Sequence, residues 1–329
     1  MTDAVETMAF AGTTPWHGKG FPVNSNMTPQ EMLVASKTNW TVSKKPIYFE
    51  KAGKMEIVPD RFALIRDSDE SCLSLVGSKW KVNQNEKTFD FFSKYVKEGK
   101  MGMETAGSLW SGRYVWALAR LGSDFAIGKD EVRGYVLLAS PHVFGRSMLI
   151  QTTAIRVVCW NTFSAAVGSN LKGKGGNVFR IPHSQEFNDT AKAAAALTLG
   201  LATEQMVEFK EVATLLSRKK ATAPKTEEFF CEVLKFDPKD AVKKKDGEDK
   251  EPRMLSKFRA ALTHAPGQEM PSALGTWWGN FNAITHVIDH EVGRDRDTAL
   301  KAAWVGGHAN LKRDALKLAI DYATKSKAA

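Results

Sequence analysis

Four strand-like stretches between Glu104 and Cys159 are joined by connections too short for a crossover helix, and this spacing restricts the fold more than any other feature of the chain. Glu104–Leu109, Arg113–Leu121, Val132–Ser140 and Met148–Cys159 are rich in β-branched, aromatic and leucine residues, with Gly, Asp or Pro at the breaks. A parallel neighbour would require a connection of a dozen residues or more, so these stretches are expected to pair antiparallel. Upstream, Trp40–Phe49, Arg61–Arg66 and Ser74–Val82 read as further strands. Thr28 can cap a short helix from Pro29 to about Ser36, and Asn83-Gln84-Asn85 stands where it would cap a helix from Glu86 to Lys97. Residues 1–25 read as loop, with Trp16 and His17 as their large side chains. Asn161, directly after the last strand, has the side chain to cap a short helix ending near Gly168.

From Ser184 onward the apolar spacing turns helical. Gln185–Leu216, Thr226–Lys235, a helix from about Met254, Ser272–Glu291 and Ala309–Lys325 all repeat at 3 to 4 residues. Trp277, Phe281, Ile284 and Ile288 form one stripe, and the last helix is expected to bury Leu311, Ala315, Leu318 and Tyr322 while leaving Lys312, Arg313 and Lys317 outside. The expected class is α+β: a largely antiparallel β-sheet with packed helices over residues 1–183, followed by an α-helical C-terminal part, 184–329, packing on it. Asp237–Arg253, charged in both signs and almost free of apolar residues, is expected to be a mobile loop.

The 329 residues carry a formal charge of +9, and the excess is local: nine basic residues face three acidic ones between Arg113 and Arg180. Such a concentration suits a polyanion, although a solvated basic surface has the same composition. Tyr114, Trp116 and Arg120, then Arg133 and Tyr135, then Arg156 and Trp160 share one strand parity. If exposed, this face would stack bases between guanidinium groups; if buried, it is a core face with arginines at its edge. Gly168–Asn177 contains G-x-x-x-x-G-K but lacks the following hydroxyl and the strand-then-helix context of a phosphate-binding loop. Its Lys172 and Lys174, with Arg180, fit contact with a phosphate backbone better. The expected nucleic-acid-binding set is therefore Arg113, Arg120, Arg133, Arg156, Lys172, Lys174, Arg180, Trp116 and Tyr135.

No catalytic motif stands out and no cofactor is implied, so a non-enzymatic protein is expected. His286 and His290 are four residues apart, which places two imidazoles on one helix face, but the zincin order and a local third ligand are missing. Cys72, Cys159 and Cys231 are few and widely spaced, which suits a reducing compartment. The pattern shows neither a signal peptide nor a membrane span, and the expectation is a cytoplasmic protein without membrane partners.

PWHGKG near the start, WKVNQNEKTFDFF, METAGSLWSGRYVWALARL, TTAIRVVCWNTF and GTWWGNFNAITHVIDH, in this order, resemble the phage/plasmid-like protein family. That family is carried by bacteriophages, prophages and plasmids and is catalogued mainly as a domain of unknown function. Lys19 and Trp160 depart from its usual residues. The resemblance implies a mobile-element origin in a bacterial cell and supplies no active site. The plan of helix, strands, helix, strands and helix is similar to that of single-strand annealing proteins. Annealing requires no nucleotide hydrolysis, and it implies single-stranded DNA as partner and a homo-oligomeric ring or filament. The alternative is a non-enzymatic interaction protein engaging a host factor or a phage assembly, marked by an exposed apolar patch around Trp277 and Trp278.

Overall fold

The computed structural model describes residues 5–12, 20–158, 161–164, 178–200, 202–237, 251–292 and 307–325. They form an α+β fold whose strands pair antiparallel except for β1 (Val5–Ala11) with β2 (Phe21–Val23). Two compact units divide the chain, and they interleave in sequence. The first takes Met1–Gly122, Tyr135–Thr152 and Asn177–Thr203; the second takes Ser123–Gly134, Thr153–Gly176 and Glu204–Ala329. The compact units thus divide elsewhere than at 183/184, because two long strands, β9 (Asp130–Pro141) and β10 (Ser147–Arg156), each give one half to either unit.

In the first unit the main sheet runs β2-β1-β6-β7-β9-β10-β12, with β6 Met101–Leu109, β7 Tyr114–Leu121 and β12 Val178–Pro182. The strand β1 lies within residues expected to be loop. Its Met8, Ala9 and Phe10 are buried, and it pairs with β6 at Gly107, where a Cβ would stand 2.2 Å from the Thr7 carbonyl oxygen. A second sheet, β3 (Val42–Lys51), β4 (Lys54–Arg66) and β5 (Ser71–Gly77), packs Val42, Leu64, Leu73, Val76 and Trp80 into a core of its own. The helix α1 (Pro29–Ala35) opens as its sequence predicts: the Thr28 hydroxyl accepts from Glu31 N, and the Glu31 carboxylate accepts from Thr28 N at 2.8 Å.

The expected helix from Glu86 is broken into α2 (Asn85–Phe89), a 3₁₀ turn over Asp90–Phe92 and α3 (Ser93–Lys97), a tightening that buries Phe89, Phe91 and Phe92 together. No side chain caps α2 through hydrogen bonds to its own turn. The amides of Asn83-Gln84-Asn85 reach other segments instead. Gln84 exchanges both of its amide bonds with the backbone of Val42, Asn83 accepts from Phe187 N, and Asn85 donates to the carbonyls of Thr38 and Trp40. Three adjacent amides thus tie down two segments distant in sequence, Thr38–Val42 and the backbone at Phe187.

Asn161 caps no helix. It opens β11 (Asn161–Ser164), which folds back on β10 with Arg156 opposite Asn161; an asparagine after a strand serves a turn as readily as a cap. The second unit also holds β8 (Phe125–Ile127) and most of the helices: α5 (Ala202–Arg218), α6 (Ala223–Val233), α7 (Arg253–His264), α8 (Trp277–His286) and α9 (Gly307–Lys325). The long helix expected from Gln185 is two helices, α4 (Asp189–Gly200) and α5. Lys312, expected outside, is buried and bonds Asp289 at 2.6 Å. The buried stripe of α9 is Lys312, Ala315, Leu316, Ala319 and Ala323, one step round from the expected one.

Candidate functional site

The aromatic–arginine face is not a platform. Trp116 and Tyr135 are buried in the first unit, and so are Tyr114 and Leu118 on the same parity. The opposite parity is equally enclosed: Val115, Ala117 and Ala119 have no exposure. With both faces of β7 covered, Trp116 and Tyr135 are core side chains, and the Tyr135 hydroxyl donates to Glu104 at 2.6 Å. Arg120 is half-buried, at the end of the same strand.

Arg156 is the furthest from expectation. Its side chain is 1% exposed and forms a bidentate pair with Asp130, whose side chain is 0% exposed. Nε lies 2.8 Å from Oδ1 and Nη2 lies 2.8 Å from Oδ2. Asp130 also accepts from Ser272 Oγ at 2.9 Å and Trp278 Nε1 at 3.0 Å, while Arg156 Nη2 donates to the Gly267 carbonyl at 2.9 Å. A buried charge is tolerated when it is paired and its remaining lone pairs and protons are satisfied, and this arrangement meets both conditions. It is a structural centre of the second unit, closed to solvent. Gly267, at φ +80°, approaches so closely that a Cβ would meet Arg156 Nη2 at 3.0 Å and Val158 at 2.5 Å. Arg133 is half-buried and bonds Glu131 at 2.7 Å.

Of the remaining expected contacts, Arg113 and Arg180 are exposed in the first unit. Lys172 and Lys174 lie outside the described residues, as do Trp16, His17, Cys159, Trp160 and most of the charged 237–253 stretch. Arg113 ends the β6–β7 turn, and its carbonyl accepts from His142 N at 2.8 Å, which brings it beside the β9–β10 connection. That connection exposes Phe144 by 62% and carries the exposed Arg146. Arg146 lies near Tyr114, where its charge opposes the upward pull of burial on the phenol pKa. Phe144 N donates to Ser74 Oγ at 3.2 Å. An exposed ring and two exposed arginines thus lie on adjoining connections at one end of the first unit's sheet. Phe144 lies in a turn by sequence, and only the tertiary arrangement reveals its exposure.

Just behind this edge, His142 is fully buried. Asn85 spends its Nδ2 protons on Thr38 and Trp40 carbonyls, so its Oδ1 faces His142 Nε2 at 3.0 Å and must accept. His142 is therefore the Nε2–H tautomer. Burial, with a smaller contribution from His183, lowers its pKa to about 3.

A second cluster belongs to the second unit. His264 ends α7, His286 ends α8, and Glu291 closes a π-helical turn over Val287–Glu291. Glu291 Oε1 lies 2.8 Å from His264 Nε2 and 3.5 Å from His286 Nε2. Burial, then the neighbouring His290, lowers the His286 pKa to about 4, so the ring is neutral at physiological pH. The rings of His286 and His290 are 4.9 Å apart, but the carboxylate joins His286 to His264, a residue no local spacing singles out. Trp277 and Trp278 are buried at 2% and 0%, so the apolar patch expected there is core. The exposed apolar side chains of the first unit include those at the tip of the β3–β4 hairpin, where Tyr48, Met55 and Ile57 are 49%, 65% and 57% exposed. Among the described residues, no helix is long and apolar enough to cross a membrane.

A family model, described as a domain of unknown function (DUF932), matches residues 72–304. No curated protein and no solved structure matches the chain.

Proposed function

We propose that this chain, which belongs to the DUF932 family, binds single-stranded DNA through the Phe144 end of its first unit and serves in strand annealing without nucleotide hydrolysis. The observation that carries this reading is the exposed Phe144 on a connection that also carries the exposed Arg146 and is hydrogen-bonded to the backbone of the exposed Arg113. Base–aromatic stacking contributes about 1–3 kcal/mol per base and tolerates any sequence, and arginines alongside hold the backbone. The net charge of +9 favours a polyanion at long range. The likeness of the motifs to phage- and plasmid-borne proteins supports a place in the recombination of mobile elements, in the cytoplasm of a bacterial host.

The test is fluorescence anisotropy with labelled oligothymidylate at about 50 and about 200 mM salt. Affinity is expected to fall as salt rises, and each of Arg113→Ala and Arg146→Ala to flatten the log–log salt slope by about 0.7. Phe144→Ala is expected to weaken binding about tenfold at either salt. No binding at low salt, or an Arg113/Arg146/Phe144 triple variant that binds as the parent does, would remove the proposal.

The hairpin tip favours a second reading, in which the chain works by contact with another protein. Tyr48 lies opposite Ile57, and Glu50 opposite Met55, so Tyr48, Ile57 and Met55 share one face of a two-stranded ribbon. An annealing ring and a host complex would both use such a surface. A protein that binds no oligonucleotide but sediments as an oligomer, and becomes monomeric in a Tyr48→Lys/Ile57→Glu variant, would shift the assignment to this reading.

A further inference from the structure

We propose that His264, His286 and Glu291 bind a divalent transition-metal ion, with zinc the best fit. Each offers one ligand atom, and the three atoms lie within 4.8 Å of one another. Two imidazole nitrogens and one carboxylate oxygen make the donor set of open, reactive zinc sites and of facial iron sites. Around zinc, with bonds of about 2.0–2.2 Å, neighbouring tetrahedral donors stand about 3.3 Å apart. The Nε2–Oε1 separations of 2.8 and 3.5 Å bracket that value, and with all three donor atoms within 4.8 Å of one another an ion would draw the two imidazoles together around the carboxylate.

The backbone explains how the third donor arrives. In a regular α-helix, five residues carry a side chain about 140° round the axis, and Glu291 would point away from His286. The wide turn, closed by Val292 N donating to the Val287 carbonyl at 2.9 Å, rotates Glu291 back onto the histidine side. Wide turns of this kind occur often at functional sites. Lys257 steadies the carboxylate: its Nζ donates to the Glu291 carbonyl at 2.7 Å and lies 3.8 Å from Oε2, leaving Oε1 for the histidines. The His286 side chain is 12% exposed and the His264 side chain 51% exposed, so the cluster has a fixed inner wall and an outer side open to water. That opening is where a fourth ligand, water or an anionic group, would bind.

The test titrates zinc, and cobalt(II) as its visible reporter, into the full-length untagged chain after chelator treatment, by calorimetry and absorption. One ion per chain is expected, with a cobalt spectrum of low coordination number. Affinity should fall more than tenfold in His264→Ala and in Glu291→Gln, and zinc should raise the melting temperature of the parent but of neither variant. His264 is half exposed and Glu291→Gln keeps its shape, so both variants should fold, and their metal-free circular dichroism checks this. A parent that binds neither ion, or variants that bind as tightly as the parent, would overturn the proposal.

Discussion

At the scale of single residues, Asp130 and Arg156 carry the largest stability consequence. Removing one partner leaves the other charged, buried and unpaired, which costs about 3–5 kcal/mol. Arg156→Met should lower the stability of the second unit by that amount in urea unfolding, and a loss below about 1 kcal/mol would contradict the buried pairing. His142 gives a prediction with a sign in pH. Its folded pKa of about 3 lies below the unfolded value of about 6.5, so the unfolded chain takes up a proton that the folded chain refuses. Its stabilising effect is complete above pH 6.5 and is lost progressively down to pH 3. Between pH 7 and pH 5, unfolding free energy should drop by about 2 kcal/mol more in the parent than in His142→Gln. Equal slopes in the two proteins would mean that the ring is not buried neutral. Neither residue's role was legible in the sequence: Arg156 sits in a strand whose charge count suggested a surface, and its acid lies 26 positions away on another strand.

At the scale of elements, the β3–β4 hairpin turns on Ala52-Gly53, both left-handed at φ 52° and 75°. Glycine adopts this conformation freely, but alanine is strained there, and Asn-Gly is the preferred pair for such a turn. Ala52→Asn should raise the urea midpoint by an amount equivalent to about 0.5 kcal/mol and slow proteolysis at the hairpin tip; a lower midpoint would contradict the turn geometry. Elements with local signals were readable. The Thr28 cap, the central strands β6, β7, β9 and β10 of the main sheet and the late helices follow from their residues, whereas β1 and β11 do not. Elements held by distant partners were not. The first half of β4, with Pro59 and its charges, is a strand because β3 lies beside it. The π-helical turn, which brings Glu291 rather than His290 toward His264, has no signature in the spacing.

At the scale of the whole molecule, the antiparallel sheet and α+β class followed from connection lengths, while the division into units did not, since β9 and β10 show no break where they pass from one to the other. A chain ending at residue 203 would retain all three segments of the first unit but lose Gly267, Ser272 and Trp278 from around Asp130 and Arg156. Such a truncation should keep strand signal in circular dichroism yet bind a hydrophobic dye, because the remaining apolar and charged surface of the second unit is left bare. A dye-free, cooperatively melting fragment would contradict the interleaved division.

The same Asp130 contact has a temporal side. The ribosome releases this carboxylate more than a hundred residues before the indole that will donate to it. Until then the nascent polypeptide holds an acid among apolar strands with its enclosure unbuilt, and the second unit cannot close vectorially from the N-terminus. Yield in the cell should therefore depend on the pace of translation and on chaperone supply more than the stability of the finished protein would suggest.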